Sequence, residues 1–291
     1  MLFILPLMGL LATLGVYKTI MLVAVKQKMF TYPICILFFA MLLWPLKHQL
    51  KTFPVDYVYF NALAGGNKGA WGNYEYDYYF HGLKRPAEYL INLVGDENVT
   101  VAMNCNLSNY FDGKPNIAFQ YTRFMERSSN DWDYGLFGVN YIHPHLLKNN
   151  LWKPAETLKT FYHRGNPVAI LIRRTDKSDF HGIVKVNRAD FKQGVLLLER
   201  AVQNDPNNVW LHANLAKAKL ATNDLDGFMH YLSKGKEVHP FYEPFFFLEA
   251  SQLFNAGKYN ASMQKLNILF EINPRYHRAE QLYKLLKEKI K

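Results

Sequence analysis

The sequence predicts a multi-domain chain: two N-terminal transmembrane helices, a small α/β domain with a mixed sheet, and a C-terminal all-α helical repeat. Three observations predict it. Residues 2–17 and 29–46 carry no charge, whereas everything after them mixes polar and apolar residues. The middle region holds short β-branched runs set around an amphipathic segment. Near the end, Pro206, Pro240 and Pro274 recur at a spacing of 34 residues. The boundaries fall at 1–46, 47–190 and 191–291. A length of 291 residues accommodates two or three such modules. An apolar fraction of 49% with 20% charged residues excludes a disordered chain. A mean hydropathy of −0.16 excludes one that is membrane throughout.

The two uncharged runs are each near the roughly 17–25 residues that a bilayer-spanning helix needs. The first becomes long enough if Lys18 extends its head towards the interface and residues 19–25 continue the span. A cleaved signal peptide is the alternative, but the run has no basic segment before it and no small-residue cleavage site after it. Lys18, Lys26 and Lys28 sit between the runs, which places that connection in the cytoplasm and residues 47–291 outside it. Lys47 and Lys51 weigh the other way. Tyr32 and Trp44 suit the two membrane interfaces.

In the middle region, residues 84–94 place apolar side chains at 87, 90, 91 and 94, with Pro86 in the first turn, and so predict a short amphipathic helix. Residues 99–103, 117–121, 139–142 and 168–173 read as strands. The alternation predicts a small sheet covered by helices. Upstream, Tyr57, Tyr59 and Trp71 surround Glu75 and Asp77, two carboxylates that the spacing sets on one side of a strand. That grouping is the candidate polar and aromatic site, suited to a sugar or a cation; the plainer account is a solvated strand face. His143 and His145 lack a third ligand at metal spacing, so no zinc site is predicted. Asp131-Trp132-Asp133 reads as an exposed acidic turn, since the glycine and distal glutamate of a calcium loop are missing. Cys105 has no paired base, and two cysteines give no disulfide framework. Asn98-Val99-Thr100 and Asn106-Leu107-Ser108 match the glycosylation triplet. No cofactor is implied. The net charge of +10 is spread evenly along the chain, which argues against nucleic acid as a partner.

A period of 34 with proline closing the second helix is the tetratricopeptide pattern. Ala216 and Ala250 hold its phase, as the small residues where paired helices approach, and Leu198, Leu232 and Leu266 repeat an apolar position. Two repeats are complete, at 209–242 and 243–276. The first copy is half present, because residues 175–188, with His181-Gly182-Ile183-Val184, do not read as a helix. Residues 277–291 read as a solubilising cap helix.

The order of elements resembles the C-terminal end of GT-C-fold membrane glycosyltransferases, the relatives of protein O-mannosyltransferases and aminoarabinose transferases. The resemblance rests on a proline-containing apolar helix, a basic connection and a second helix. After these come Tyr57-Val58-Tyr59-Phe60-Asn61, Gly65-Gly66, Ala70 and Tyr74-Glu75-Tyr76-Asp77-Tyr78. It implies a small periplasmic domain, polyprenyl-phosphate sugar donors and the bacterial inner membrane. It also implies that the catalytic Asp or Glu, which those enzymes carry in their first extracytoplasmic loop, has no counterpart here, so no catalytic residue is carried over. Two functions follow as expectations. One is a membrane-anchored extracytoplasmic scaffold that touches the lipid bilayer and holds a protein partner in its repeat groove. The alternative is the C-terminal fragment or subunit of a glycosyltransferase, working with a multi-helix membrane transferase chain.

Overall fold

The computed structural model describes residues 4–26, 28–52, 60, 65–77, 81–163 and 165–290. The chain divides into two compact units, Met1–Tyr59 and Phe60–Lys291.

The first unit is a pair of helices, α1 (Ile4–Lys26) and α2 (Thr31–Thr52), joined by a 3₁₀ turn at Lys28–Phe30. Leu7, Met8, Leu10, Leu11, Leu14, Met21 and Leu22 are exposed. At 100° per residue they cover one side of α1, and the other carries Gly9, Ala12, Val16, Ile20 and Val23 with only Thr13 and Thr19 among them, so the helix has no charged face to give to water. Thr13 and Thr19 each donate their hydroxyl to a backbone carbonyl one turn earlier, Gly9 and Gly15, at 2.8 Å. Among the described residues one helix is long and apolar enough to cross a membrane, at Leu7–Val25, and none of that stretch is buried in the protein. The second apolar helix is shorter, Thr31–Met41. The expectation of two spans is therefore corrected to one clear candidate. Lys28–Phe30 goes into the turn, and Lys47 and Lys51 charge the end of α2.

The second unit begins with a one-turn helix α3 (Gly66–Ala70) and the amphipathic α4 (Lys84–Val94), which buries Pro86, Ala87, Leu90 and Val94 as its spacing predicts. The sheet has five strands in the order β2-β1-β3-β5-β4: β1 (Val99–Met103), β2 (Ile117–Tyr121), β3 (Tyr134–Gly138), β4 (Thr157–His163) and β5 (Asn166–Arg173). It is mixed. β1 pairs parallel with β2 and β3, and β5 antiparallel with β3 and β4. The strand expected at 139–142 is displaced. β3 lies at Tyr134–Gly138, and Val139–Tyr141 is a 3₁₀ turn. Two glycines hide β3 from a propensity reading, yet the ring of Phe137 lies 2.5 Å from where a Cβ on Gly135 would sit. β3 ends where the Asn104 side chain brackets Gly138, accepting its N–H and donating to its carbonyl, both at 2.8 Å. Between β3 and β4 lies α5 (Pro144–Lys148).

Strand alternation separates two cores. Val101, Met103, Leu136 and Leu171 face α4. Ala102, Phe137, Ile170 and Ile172 face the other way, towards Phe124, Trp132, Leu146 and Trp152. This second core continues without a break into Val209, Ala213, Ala216, Phe228, Leu232, Tyr242 and Phe245 of the helical region. The sheet and the helices are therefore one body.

The helical region pairs α6 (Ser178–Asn187) with α7 (Phe191–Asn204), α8 (Val209–Ala221) with α9 (Leu225–Val238), and α10 (Glu243–Asn255) with α11 (Tyr259–Ile272), followed by α12 (Glu280–Ile290). The first repeat is complete, against the expectation that 175–188 is not helical. Packing overrides local propensity here: α6 buries Ser178, Gly182, Ile183 and Val186 on one face. Gly182 stands 34 residues before Ala216. A Cβ there would meet Leu198 Cγ at 2.7 Å and its backbone nitrogen at 3.1 Å, so α6 and α7 approach too closely for a side chain at this position.

Candidate functional site: the concave cleft of the repeats

The sequence-predicted site does not assemble as a strand face. Glu75–Asp77 is irregular chain, with Glu75 exposed and Asp77 buried in the left-handed region at φ 60°. Asp77 Oδ2 accepts the Gly82 N–H at 2.8 Å, and its backbone carbonyl accepts Asn140 Nδ2 at 2.8 Å. A carboxylate so engaged closes a loop, and a side chain on Gly82 would displace it, since a Cβ would sit 2.6 Å from Asp77 Oδ2. Trp71 donates its indole N–H to the Pro167 carbonyl at 2.9 Å. Tyr57 and Tyr59 lie outside the described residues. Asp131 and Asp133 both bind Lys177, at 2.7 and 2.9 Å, while Trp132 between them is in the core. The acidic turn is therefore a joint between the sheet and α6.

Cys105 is buried. Burial, with Asp77 nearby, pushes its thiol up to about 12, so it carries no thiolate at neutral pH. His143 and His145 do meet a third imidazole, His239, with ring centroids 4.4 and 5.7 Å away. Yet the Nδ1 lone pairs of His143 and His239 are spent accepting the N–H groups of His145 and Phe241. Nε2 then holds the ring proton and offers nothing to a metal. Among the described residues no three His, Cys, Asp or Glu are arranged to hold a metal ion.

The repeat-defining residues occupy equivalent places. Ala216 and Ala250 are fully buried. Pro206, Pro240 and Pro274 each follow the residue closing a second helix (Asp205, His239 and Asn273), and each of these donates its N–H four residues back. The α/β part docks along this row of corners. Arg127 grips Asp205 with Nε at 2.9 Å and Nη2 at 2.5 Å, and Asn208 donates to Ser128 Oγ at 2.9 Å. His143 and His145 lie against His239 one repeat later. Docking at the corners leaves the inner face of the first helices open.

That inner face carries a cleft of about 380 Å³. α6 contributes Ile183 and Asn187; α8 contributes Trp210, Ala213, Asn214 and Lys217; α10 contributes Pro244, Phe247 and Leu248; Tyr276 and Arg278 close the end. The period builds this lining. Trp210, Pro244 and Arg278 are equivalent positions, as are Ala213 and Phe247, Asn214 and Leu248, and Ile183 and Lys217. Sequence reasoning did not name these residues, although stepping 34 residues along the first helices finds them. Among the described residues that line the cleft the charged ones are Lys217 and Arg278, while Glu243 and Glu126 act on Tyr276 from beside it. Lys217 Nζ reaches Asn187 Oδ1 at 3.5 Å. Burial raises the Tyr276 phenol above its ordinary value, and the Arg278 guanidinium beside it pulls in the opposite direction. Trp210 Nε1 is buried with no hydrogen-bond acceptor among the described residues. The cleft thus offers flat apolar surface, amides and the cations of Lys217 and Arg278.

Comparison with known proteins bears on the helical region. The tetratricopeptide repeat family matches residues 188–244. No curated protein matches the chain. Similar solved structures include the first TPR of Spaghetti (RPAP3) bound to the HSP90 peptide SRMEEVD, 13% identical, covering 38% of this chain and 89% of that one at a TM-score of 0.35. The Sgt2 TPR domain from Aspergillus fumigatus is 18% identical, covering 40% and 78% at 0.36. MamA AMB-1 is 21% identical, covering 40% and 69% at 0.33. With the 34-residue period and the paired helices, the match at 188–244 makes the C-terminal helices of this chain a tetratricopeptide repeat module.

Proposed function

We propose that the chain is a membrane-anchored scaffold that holds an extended segment of a partner protein in the concave cleft of its repeats. The observation that carries this is the lining of the cleft. Trp210, Phe247 and Leu248 provide an apolar floor, Asn214 suits a peptide backbone, and Lys217 with Arg278 favour acidic side chains. The anchor is α1, apolar over Leu7–Val25 with its threonine hydroxyls bonded to the helix's own carbonyls, as hydrocarbon requires. In this reading α2 crosses the bilayer as well as α1, so that the connection with Lys18, Lys26 and Lys28 stays in the cytoplasm and the repeats lie on the extracytoplasmic side of a bacterial inner membrane, with residues 47–190 as a spacer before 191–291. A second reading, an accessory piece of a GT-C membrane glycosyltransferase, is favoured by the order of elements from α1 to Tyr78. In it the cleft's occupant is a loop of the transferase chain.

An array of short peptides tests the scaffold reading on the full chain in detergent. Peptides combining acidic and apolar residues should bind, and Lys217→Glu with Arg278→Glu should weaken that binding more than about tenfold, the value of one lost charge-assisted contact. Binding that ignores both reversals would end the reading.

A further inference from the structure

The corners where the α/β part grips the repeats are equivalent in sequence but differ in chemistry. At the first, Asp205 meets Arg127. At the second, 34 residues on, the position is His239, buried beneath His143 and His145. At the third it is Asn273, whose Oδ1 accepts the Arg275 N–H at 3.1 Å. His239 Nδ1 makes the same bond to the Phe241 N–H at 3.3 Å. Across the interface, His143 Nδ1 accepts the His145 N–H at 3.2 Å and caps α5. A neutral imidazole can do this while Nε2 keeps the only ring proton, whereas an imidazolium has a donor on both nitrogens. A proton on either ring therefore aims a donor at a backbone donor. A second proton sets two like charges in rings 4.4 Å apart.

We propose that the His143–His145–His239 corner is an acid-released latch, which seats α5 on the second repeat at neutral pH and lets go in mild acid while the Arg127–Asp205 corner holds. Imidazole is the side chain that titrates in this range. The groups facing the rings are few. From the α5 side, Asn149 Nδ2 lies 3.4 Å from His145 Nδ1. From the repeats come the rings of Phe241 and Tyr242, and Glu243 at the start of α10. Glu243 favours a proton on His143, but burial and His145 oppose it and hold that ring below its ordinary value. Glu243 is also engaged by Asn273 Nδ2 at 3.2 Å. Beyond them, Glu126 and Arg278 face Tyr242. His239 is pushed down to about 4 by burial and then by its two imidazole neighbours. Against an ordinary value of 6.5, that one ring raises the opening equilibrium roughly 25-fold between pH 7.5 and 5.0.

Hydrogen exchange on the full chain in detergent, corrected for the intrinsic pH dependence of exchange, reads the latch directly. From pH 7.5 to 5.0, α5 and residues 239–242 should lose at least about tenfold in protection and exchange ahead of β1 and β3, which open only with the whole body. The variant His143→Asn/His239→Asn keeps an acceptor for the same backbone N–H groups, as Asn273 does, but takes no proton. Its protection should change less than about twofold over that range. Unchanged protection of α5 in the wild type, or an equal loss in the variant, overturns the proposal. If the double variant loses β1 and β3 protection already at pH 7.5, His239→Asn alone is read in its place, by the same two criteria.

Discussion

The joint between Arg127 and Asp205 can be put to a quantitative test. Arg127 is buried, donating Nη1 to the Phe124 carbonyl at 2.9 Å and lying 4.4 Å over the Phe124 ring, with its remaining bonds to Asp205. Arg127→Met keeps an apolar stem over Phe124 but leaves the Asp205 carboxylate facing an apolar wall. Removing one partner of a buried ion pair costs about 3–5 kcal/mol. The Asp205 side chain keeps 18% of its exposure, so the low end applies, about 3 kcal/mol. For a body of this size that lowers the melting temperature by roughly 6–12 °C. Asp205→Leu should cost at least as much, since it strands a guanidinium. The double variant removes both charges and should cost no more than either single, giving a coupling of at least about 3 kcal/mol. Thermal melts of the full chain in detergent, followed by far-UV circular dichroism, supply the four values. Single variants within about 1 kcal/mol of wild type, or a double variant equal to the sum of the singles, would refute the reasoning.

Other outcomes follow from the same structure. Cys105, buried and with its thiol pushed up to about 12, should resist an alkylating reagent at pH 8 until the chain is denatured; native labelling, read by mass, contradicts this. Gly182→Leu should push α6 off Leu198 and cost about 3 kcal/mol, measured by denaturant titration, whereas an exposed change such as Lys192→Ala should stay within about 0.5 kcal/mol. Acid should weaken the fold. His143, His212 and His239 are all held below the ordinary value of 6.5, chiefly by burial. The unfolded chain therefore binds more protons between about pH 4 and 6.5, and stability present above 6.5 is lost as pH falls through that window. A denaturant midpoint that rises on acidification from pH 7 to 5 would reverse the sign.

The repeats were legible because a period survives single-residue noise. Pro206, Pro240 and Pro274 mark the corners whatever stands between them. The failure at α6 shows the limit of local reading. Gly182, Ile183 and Val184 disfavour a helix one by one, and only the 34-residue step from Ala216 back to Gly182 reveals the helix–helix approach that stabilises it. In the sheet, the β-branched runs of β1 and β5 and the apolar and aromatic residues of β2 were plain, but β3 is built from Tyr134-Gly135-Leu136-Phe137-Gly138 and shows no alternation. β4 is half-exposed and polar, and it was missed. Glu75 and Asp77 misled because periodicity cannot foresee a positive φ at Asp77 or its bond to Gly82. The cleft was invisible for a different reason: its residues share a face only after three helices stack, although their spacing in sequence is regular.

The central claim is that the inner face of the repeats, and not their outer face, receives the partner. A photo-crosslinking amino acid at Asn214, inside the cleft, can be compared in native membranes with one at Leu196, which is 64% exposed on the second helix of the first repeat. The account predicts a discrete polypeptide adduct from position 214 that disappears when Lys217 and Arg278 are changed to Glu, and none from position 196. Adducts of equal yield from both positions, or an adduct at 214 indifferent to the charge reversals, would contradict it.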